Sequence, residues 1–215
     1  MNTFQAKQKR LFDVSVSTIG LLALSPLLLV LIPLARWSTG ISGIFRQNRV
    51  GQHGNIFTVY KLRTMRSVGG STVTTANDSR ITRVGAWLRT YKLDELPQLY
   101  NVIVGDMSFV GPRPDVPGFA DRLCGSARDV MSLRPGITGP ATIKYGNEEM
   151  LLADVKDPEA FNREVIFPDK VRLNLDYLDN WSLIQDVRYI LVTCRILKIP
   201  DHLIVLSIDK PNQTL

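Results

Sequence analysis

A mostly helical α/β fold, anchored at its N-terminus by a re-entrant membrane helix-break-helix, is predicted from three features. These are an uncharged apolar stretch from Val14 to Ala35, two short β-rich runs joined by Gly51-Gln52-His53-Gly54, and a succession of segments with helical apolar spacing. The 215 residues suffice for one cored domain plus an anchor. The expected organisation is a membrane hairpin over 1–40, a cytoplasmic domain with interfacial helices over 41–200, and a tail over 201–215.

The apolar stretch is long enough to span a bilayer. No small-residue cleavage site precedes a polar region, so it does not read as a signal peptide. Ser25-Pro26 lies near its middle. Proline lacks a backbone donor and clashes with the preceding turn, and the serine hydroxyl can bond a nearby carbonyl. Lys7, Lys9 and Arg10 flank one end, and Arg36, Arg46 and Arg49 follow the other. Basic residues favour the cytoplasmic side, so both flanks call for the same side. A helix broken at Ser25-Pro26, with each arm about 16 Å long, dips into one leaflet and returns. A kinked span is the alternative.

Ile44–Val50 and Asn55–Leu62 read as a β-hairpin. Ser67–Ser79 reads as a loop rich in Gly, Ser, Thr and Asn. Ile81–Tyr91 is a helix with Val84, Trp87 and Leu88 on one face. Leu93, Leu96, Leu99, Tyr100 and Ile103 keep helical spacing, and Pro97 is tolerated only in a first turn, so that helix should begin close to Asp94. Ser126–Leu133 is a further helical candidate. Phe167–Leu178 and Ser182–Leu197 read as amphipathic helices suited to an interface, the second opened by a Ser182/Gln185 capping box.

Net charge is +6, unevenly spread. Residues 1–93 hold 13 Lys/Arg against Asp13 and Asp78, whereas residues 94–215 hold 13 against 18 acids. The basic half should face anions such as phosphates or acidic lipid. The apolar segment and the lack of a binding motif argue against nucleic acid. Cys124 and Cys194 have no metal or disulfide spacing, and His53 and His202 stand alone.

Asp94-Glu95 is the acidic pair that follows this basic half. Adjacent carboxylates can divide labour, one attacking phosphorus and the other holding a divalent metal. Lys61, Arg63, Arg89 and Arg113 are candidate phosphate contacts. Alternatively, Asp94 caps a helix and Glu95 favours its positive end.

Leu93-Asp94-Glu95-Leu96-Pro97-Gln98-Leu99, Asn101-Val102, Gly105-Asp106-Met107-Ser108 and Val110-Gly111-Pro112-Arg113-Pro114 together resemble the monotopic phosphoglycosyl transferases, or bacterial sugar transferases. Tyr60–Met65 and Arg134–Gly139 match further blocks in the expected order, and Ser25-Pro26 matches the family's re-entrant break. The resemblance runs from about Lys9 to Leu197, as a minimal catalytic unit. It implies that Asp94 is the nucleophile on the β-phosphate of a UDP-sugar, releasing UMP and forming a phosphosugar ester. Polyprenyl phosphate then collects the sugar phosphate. It further implies that Glu95 helps bind Mg2+, and that Arg89 and Arg113 lie near phosphate, with Lys61, Arg63 and Arg134 as weaker candidates. Its setting is the cytoplasmic face of a bacterial inner membrane.

Glu164–Lys170 looks similar to small members that use acetamido sugars, including di-N-acetylbacillosamine. Ala141–Gly146 departs from the Gly-Leu-Ala-Gln pattern common in the family, so no assignment of sugar contacts is borrowed from the family for that segment. A homodimer is compatible with the sequence, though no specific feature indicates one. The rival classes are a membrane adaptor on anionic lipid and an aspartyl-phosphate phosphatase, which UMP release and product analysis distinguish.

Overall fold

The computed structural model describes residues 1–67, 78–118, 120–153, 155, 157–200 and 203. Most of the expected loop over 67–79, and all of the 201–215 tail except Leu203, lie outside them.

Helix α1, Thr3–Thr39, begins with a reciprocal cap. Asn2 Oδ1 accepts from the Gln5 amide at 2.8 Å, and Gln5 Oε1 accepts from the Asn2 amide at 2.7 Å. Gly40, at φ 77°, ends the helix in the left-handed conformation. The expected break at Ser25-Pro26 does not divide α1, which runs through both Pro26 and Pro33. Pro26 cannot donate to the carbonyl of Leu22, four residues back. Ser25 Oγ donates to that carbonyl at 2.8 Å instead, so the group the proline abandons is satisfied and the helix continues.

The burial of α1 changes along its length. Lys9, Asp13 and Ser17 are buried on one face, and Leu28, Leu31 and Ala35 are buried near the other end. Leu22, Leu29 and Val30 are between 63% and 74% exposed. Among the described residues, α1 is the one helix long and apolar enough to cross a membrane.

Strands β1 (Ile44–Val50) and β2 (Ile56–Leu62) pair antiparallel, with Ile44 opposite Leu62 and Val50 opposite Ile56. The turn between them is a short 3-10 segment in which His53 takes φ 59°. Helix α2 (Arg83–Thr90) starts at Thr82, whose hydroxyl accepts from the Gly85 amide. A Cβ at Gly85 would overlap the Thr64 carbonyl, so only glycine lets α2 sit directly on the segment leaving β2.

A 3-10 turn, Leu93–Glu95, precedes α3 (Gln98–Val104), so the acidic pair lies before the α-helix rather than in its first turn. Pro97, at the N-cap of α3, brings no side-chain cap, and Asp94 does not act as one. Strand β3 (Ser108–Val110) pairs parallel with β4 (Gly136–Thr138). The expected helix over 126–133 is a 3-10 stretch, Gly125–Ser132.

Helices α4 (Pro140–Lys144), α5 (Glu148–Ala153), α6 (Pro158–Phe161), α7 (Phe167–Asp179) and α8 (Leu183–Thr193) follow among the described residues, with a π-helical turn at Asn162–Ile166 leading into α7. Ser182 caps α8 by accepting from the Gln185 amide, but the Gln185 side-chain oxygen has no partner, so half of the expected capping box forms. The helix stops at Thr193, short of Leu197.

Among the described residues, three apolar clusters hold the parts together. Val110, Leu133, Ile166, Leu173, Tyr189 and Leu203 belong to the largest. Leu28, Leu31 and Ala35 of α1 pack with Leu62 and Leu88 in a second. Val59, Val102 and Met107 form a third, between the hairpin and α3.

Polar groups tie the N-terminal part of α1 to the same domain. Lys9 Nζ donates to Asp186 Oδ2 at 2.6 Å, and Trp181 Nε1 donates to the same oxygen at 3.0 Å. The Tyr177 hydroxyl donates to Asp186 Oδ1 at 2.5 Å, and the Phe109 amide donates to Asp13 Oδ1 at 3.1 Å. Arg10 donates to the carbonyls of Val102 and Ile103 at 2.6 and 2.8 Å, where the negative end of α3 favours a cation.

Candidate active site

Three elements bring the acidic pair and its cations together. The first contact is made by Asn101, fully buried on α3. Its Nδ2 donates to Thr58 O at 2.8 Å and its Oδ1 accepts from the Tyr60 amide at 3.2 Å. This one amide satisfies a donor and an acceptor of β2, and so fixes the turn before α3 against that strand. Lys61, the next residue on β2, then reaches Glu95 Oε1 at 3.3 Å.

Arg113 arrives from the loop after β3. The Val50 amide donates to Asp115 O at 2.9 Å, Arg49 donates to Pro114 O at 3.2 Å, and the Gly136 amide donates to Pro112 O at 2.7 Å. Held this way, Arg113 Nη2 lies 3.4 Å from Glu95 Oε1. The Arg113 side chain is half exposed, whereas that of Glu95 is 12% exposed.

Arg89, on α2, donates from Nε to Thr64 Oγ1 at 3.0 Å and from Nη2 to Met65 Sδ at 3.2 Å. The close seat at Gly85 puts it there, and its charge acts on Asp94. Lys92 adopts φ 56°, an uncommon conformation for a residue with a side chain, and turns the chain sharply into the pair. Its charge acts on both carboxylates.

The two carboxylates are driven apart. Burial pushes the Asp94 carboxyl above its ordinary value; the Glu95 charge adds to that, while Lys61, Arg89 and Lys92 oppose it. Burial also raises Glu95, but Arg113, Lys61 and Lys92 outweigh it and hold Glu95 below its ordinary value. Burial and Arg113 lower the Lys61 ammonium, against the pull of Glu95 and Asp94. Among the described residues, Asp94 has no hydrogen bond and no ion pair within 4 Å. Glu95 is engaged and Asp94 is open.

The structure does not bring Arg63 to the pair. Its Nε donates to Ser42 O at 2.7 Å, and its guanidinium lies over the Phe45 ring at 5.3 Å. Arg134 donates to Gly105 O at 3.0 Å, at the end of α3. Sequence reasoning missed Lys92 and Thr64. Lys92 lies two residues before Asp94, a proximity that could have flagged it; the Thr64 contact had no such signal.

No group of three or more His, Cys, Asp or Glu converges to hold a metal among the described residues. The donor set still fits Mg2+, which commonly takes one or two carboxylates and completes its shell with substrate phosphates and water. Glu95, with its charge retained, is the residue that would hold it, beside the open Asp94.

Two adjacent carboxylates and at least four cations, next to an apolar helix, make an arrangement that can serve phosphoryl transfer. Comparison with known proteins agrees. Residues 4–198 match the sequence model of the family described as "Bacterial sugar transferase". The "Exopolysaccharide production protein ExoY" of Sinorhizobium fredii is 34% identical over 197 residues, covering 83% of this chain and 80% of its own length. The "Galactosyl transferase CpsE" of Streptococcus agalactiae is 34% identical over 202 residues, and the "Undecaprenyl-phosphate galactose phosphotransferase" of Salmonella typhimurium 31% over 210. The matches cover 87% of this chain in both cases, but 41% and 40% of those longer proteins. The chain belongs to the bacterial sugar transferase family, enzymes of the sugar-1-phosphate transferase type.

Proposed function

We propose that the protein transfers a sugar phosphate from a UDP-sugar to polyprenyl phosphate, through a phosphosugar ester on Asp94. The observation that carries this reading is the half-buried Asp94 carboxylate, without an ion pair among the described residues, beside the engaged Glu95.

In the first step an Asp94 carboxylate oxygen attacks the β-phosphorus. The bond from that phosphorus to the bridging oxygen breaks, and UMP departs with the electron pair. In the second step a polyprenyl-phosphate oxygen attacks the same phosphorus. The bond to Asp94 breaks, the carboxylate is regenerated, and polyprenyl-diphosphate-sugar leaves. Splitting the reaction means that the donor and the acceptor never need to occupy the site together. Lys61, Lys92, Arg89 and Arg113 offset the charge of the diphosphate and of the departing UMP. Mg2+ held by Glu95 would supply further charge neutralisation at the diphosphate.

The anchor is read as monotopic, on the cytoplasmic face of a bacterial inner membrane. Both ends of α1 support this. Lys9 is paired with Asp186, while Leu31 and Ala35 pack with Leu62 and Leu88, so both ends contact one domain. A helix whose two ends touch the same cytoplasmic domain does not deliver one of them to the far side of a bilayer. The exposed face of its apolar stretch, including Leu22, Leu29 and Val30, is the part that enters lipid. Trp87 and Tyr91, ring centroids 5.8 Å apart on the exposed side of α2, and Tyr100 on α3 suit the headgroup level. For the sugar, an acetamido group rests on the Glu164–Lys170 segment, whereas relatives are named for galactose and glucose.

The test is UMP release in nanodiscs from a panel of UDP-sugars. Release should require polyprenyl phosphate for multiple turnovers, with at most one equivalent of UMP in its absence. Lipid-linked product formed without UMP would contradict the reading. Cysteines placed at both ends of α1 should be labelled from the same side of the membrane; labelling from opposite sides would remove the monotopic anchor.

A further inference from the structure

A cavity of about 450 Å³ opens beside the acidic pair, within the range of small-molecule sites. Lys92 and Arg113 line it at the end nearest Asp94 and Glu95. Its walls carry Tyr145 and Phe167, and two polar side chains from different helices, Thr142 on α4 and Asn174 on α7.

Thr142 and Asn174 break the rule that buried polar groups are paired. Asn174 is 6% exposed, and its Oδ1 has no hydrogen-bond partner. Thr142 Oγ1 is also buried without one. Of the three such oxygens among the described residues, these two line the same cavity, while the third, Gln185 Oε1, does not. Such groups cost free energy in the free protein, which a hydrogen-bonding ligand returns.

We propose that this cavity is the subsite for the donor's sugar, and that Thr142 and Asn174 are the residues that set which sugar is accepted. The inference rests on the transfer reading given above. A two-step reaction decides which end of the donor belongs in the cavity. The nucleotide must depart after the first step, whereas the sugar must stay bound until the lipid collects it. A recess lined by unsatisfied buried groups suits the part that stays, and the lining cations Lys92 and Arg113, next to the acidic pair, suit the phosphate between. A hydroxyl and an amide together offer donors and acceptors, so the arrangement of groups on the sugar ring becomes a matter of fit. Sites that hydrogen-bond a substrate group discriminate strongly against analogues that lack it.

The experiment uses the full chain in nanodiscs with the UDP-sugar panel. Thr142→Val is nearly isosteric and removes a hydroxyl that has no partner, so thermal stability should not fall. With the preferred sugar its kcat/KM should drop about tenfold, and that of Asn174→Leu ten- to about a hundredfold. The preference for the best sugar over the next should shrink in both variants. Inhibition by UMP alone should change by less than about twofold, because the nucleotide lies elsewhere. Unchanged kcat/KM and ranking in folded variants would overturn the inference while leaving the transfer reading intact. A parallel loss of UMP inhibition would also overturn it, by assigning the cavity to the nucleotide. A wild-type chain that releases no UMP from any UDP-sugar would refute the transfer reading itself, and the inference with it.

Discussion

Two carboxylate clusters lie at opposite poles of chemical satisfaction. Around Asp186, every contact is short and complete: Lys9 at 2.6 Å, Tyr177 at 2.5 Å and Trp181 at 3.0 Å. Burial beside Asp186 pushes the Tyr177 hydroxyl up, which keeps it a donor. At the acidic pair, Lys61 and Arg113 approach Glu95 only to 3.3 and 3.4 Å, and Asp94 has no such partner among the described residues. Both clusters are flanked by cations, yet the buried one is saturated and the half-buried one holds capacity in reserve. A saturated network fixes an element, here the start of α1. An unsaturated one has interactions left for a substrate and its transition state.

The contrast breaks first at Asp94. Asp94→Asn should reduce turnover by at least about a thousandfold, since the amide is a poor nucleophile, and should leave the melting temperature unchanged or raised. UMP release and thermal unfolding of the same preparation check both. At the saturated cluster the expected effect is the reverse. Asp186→Asn leaves Lys9 buried without its counter-charge and should cost about 3–5 kcal/mol of stability, seen in denaturant or thermal unfolding.

Arg89→Ala should lower kcat/KM by about ten- to a hundredfold through weaker phosphate stabilisation, with little loss of stability, as steady-state kinetics would read. The smallest expected effect is on pH dependence. Asp94 must be ionised to attack, and its raised value places the acidic limb of the rate profile above that of an ordinary carboxylate. Lys61 opposes that rise, so Lys61→Met should move the limb further up in pH. A limb that stays put in the kcat/KM profile would separate Lys61 from the charge balance at Asp94.

The hairpin was legible because β-rich runs and a Gly-bounded turn are local signals; β1 matches its expected bounds and β2 starts one residue late. The acidic pair was legible because several spaced motifs surround it, although its place on a 3-10 turn before α3 was not. Three features were hidden because they depend on tertiary or fine local geometry. A Ser25 hydroxyl bond to a nearby carbonyl was expected, but that it carries the helix through Pro26 instead of dividing it follows only from the geometry at Leu22. Arg63 looks like any other basic residue until Ser42 and Phe45 are seen to hold it. Thr142 and Asn174 are 32 positions apart, and only the packing of α4 and α7 makes them neighbours of one cavity.

The most direct measurement is the mass of the protein after exposure to a UDP-sugar with no lipid present. Peptide mapping should find the increment of a sugar phosphate on the peptide containing Asp94, and polyprenyl phosphate should remove it. Lipid-linked product accumulating from an enzyme that never carries this increment would contradict the account.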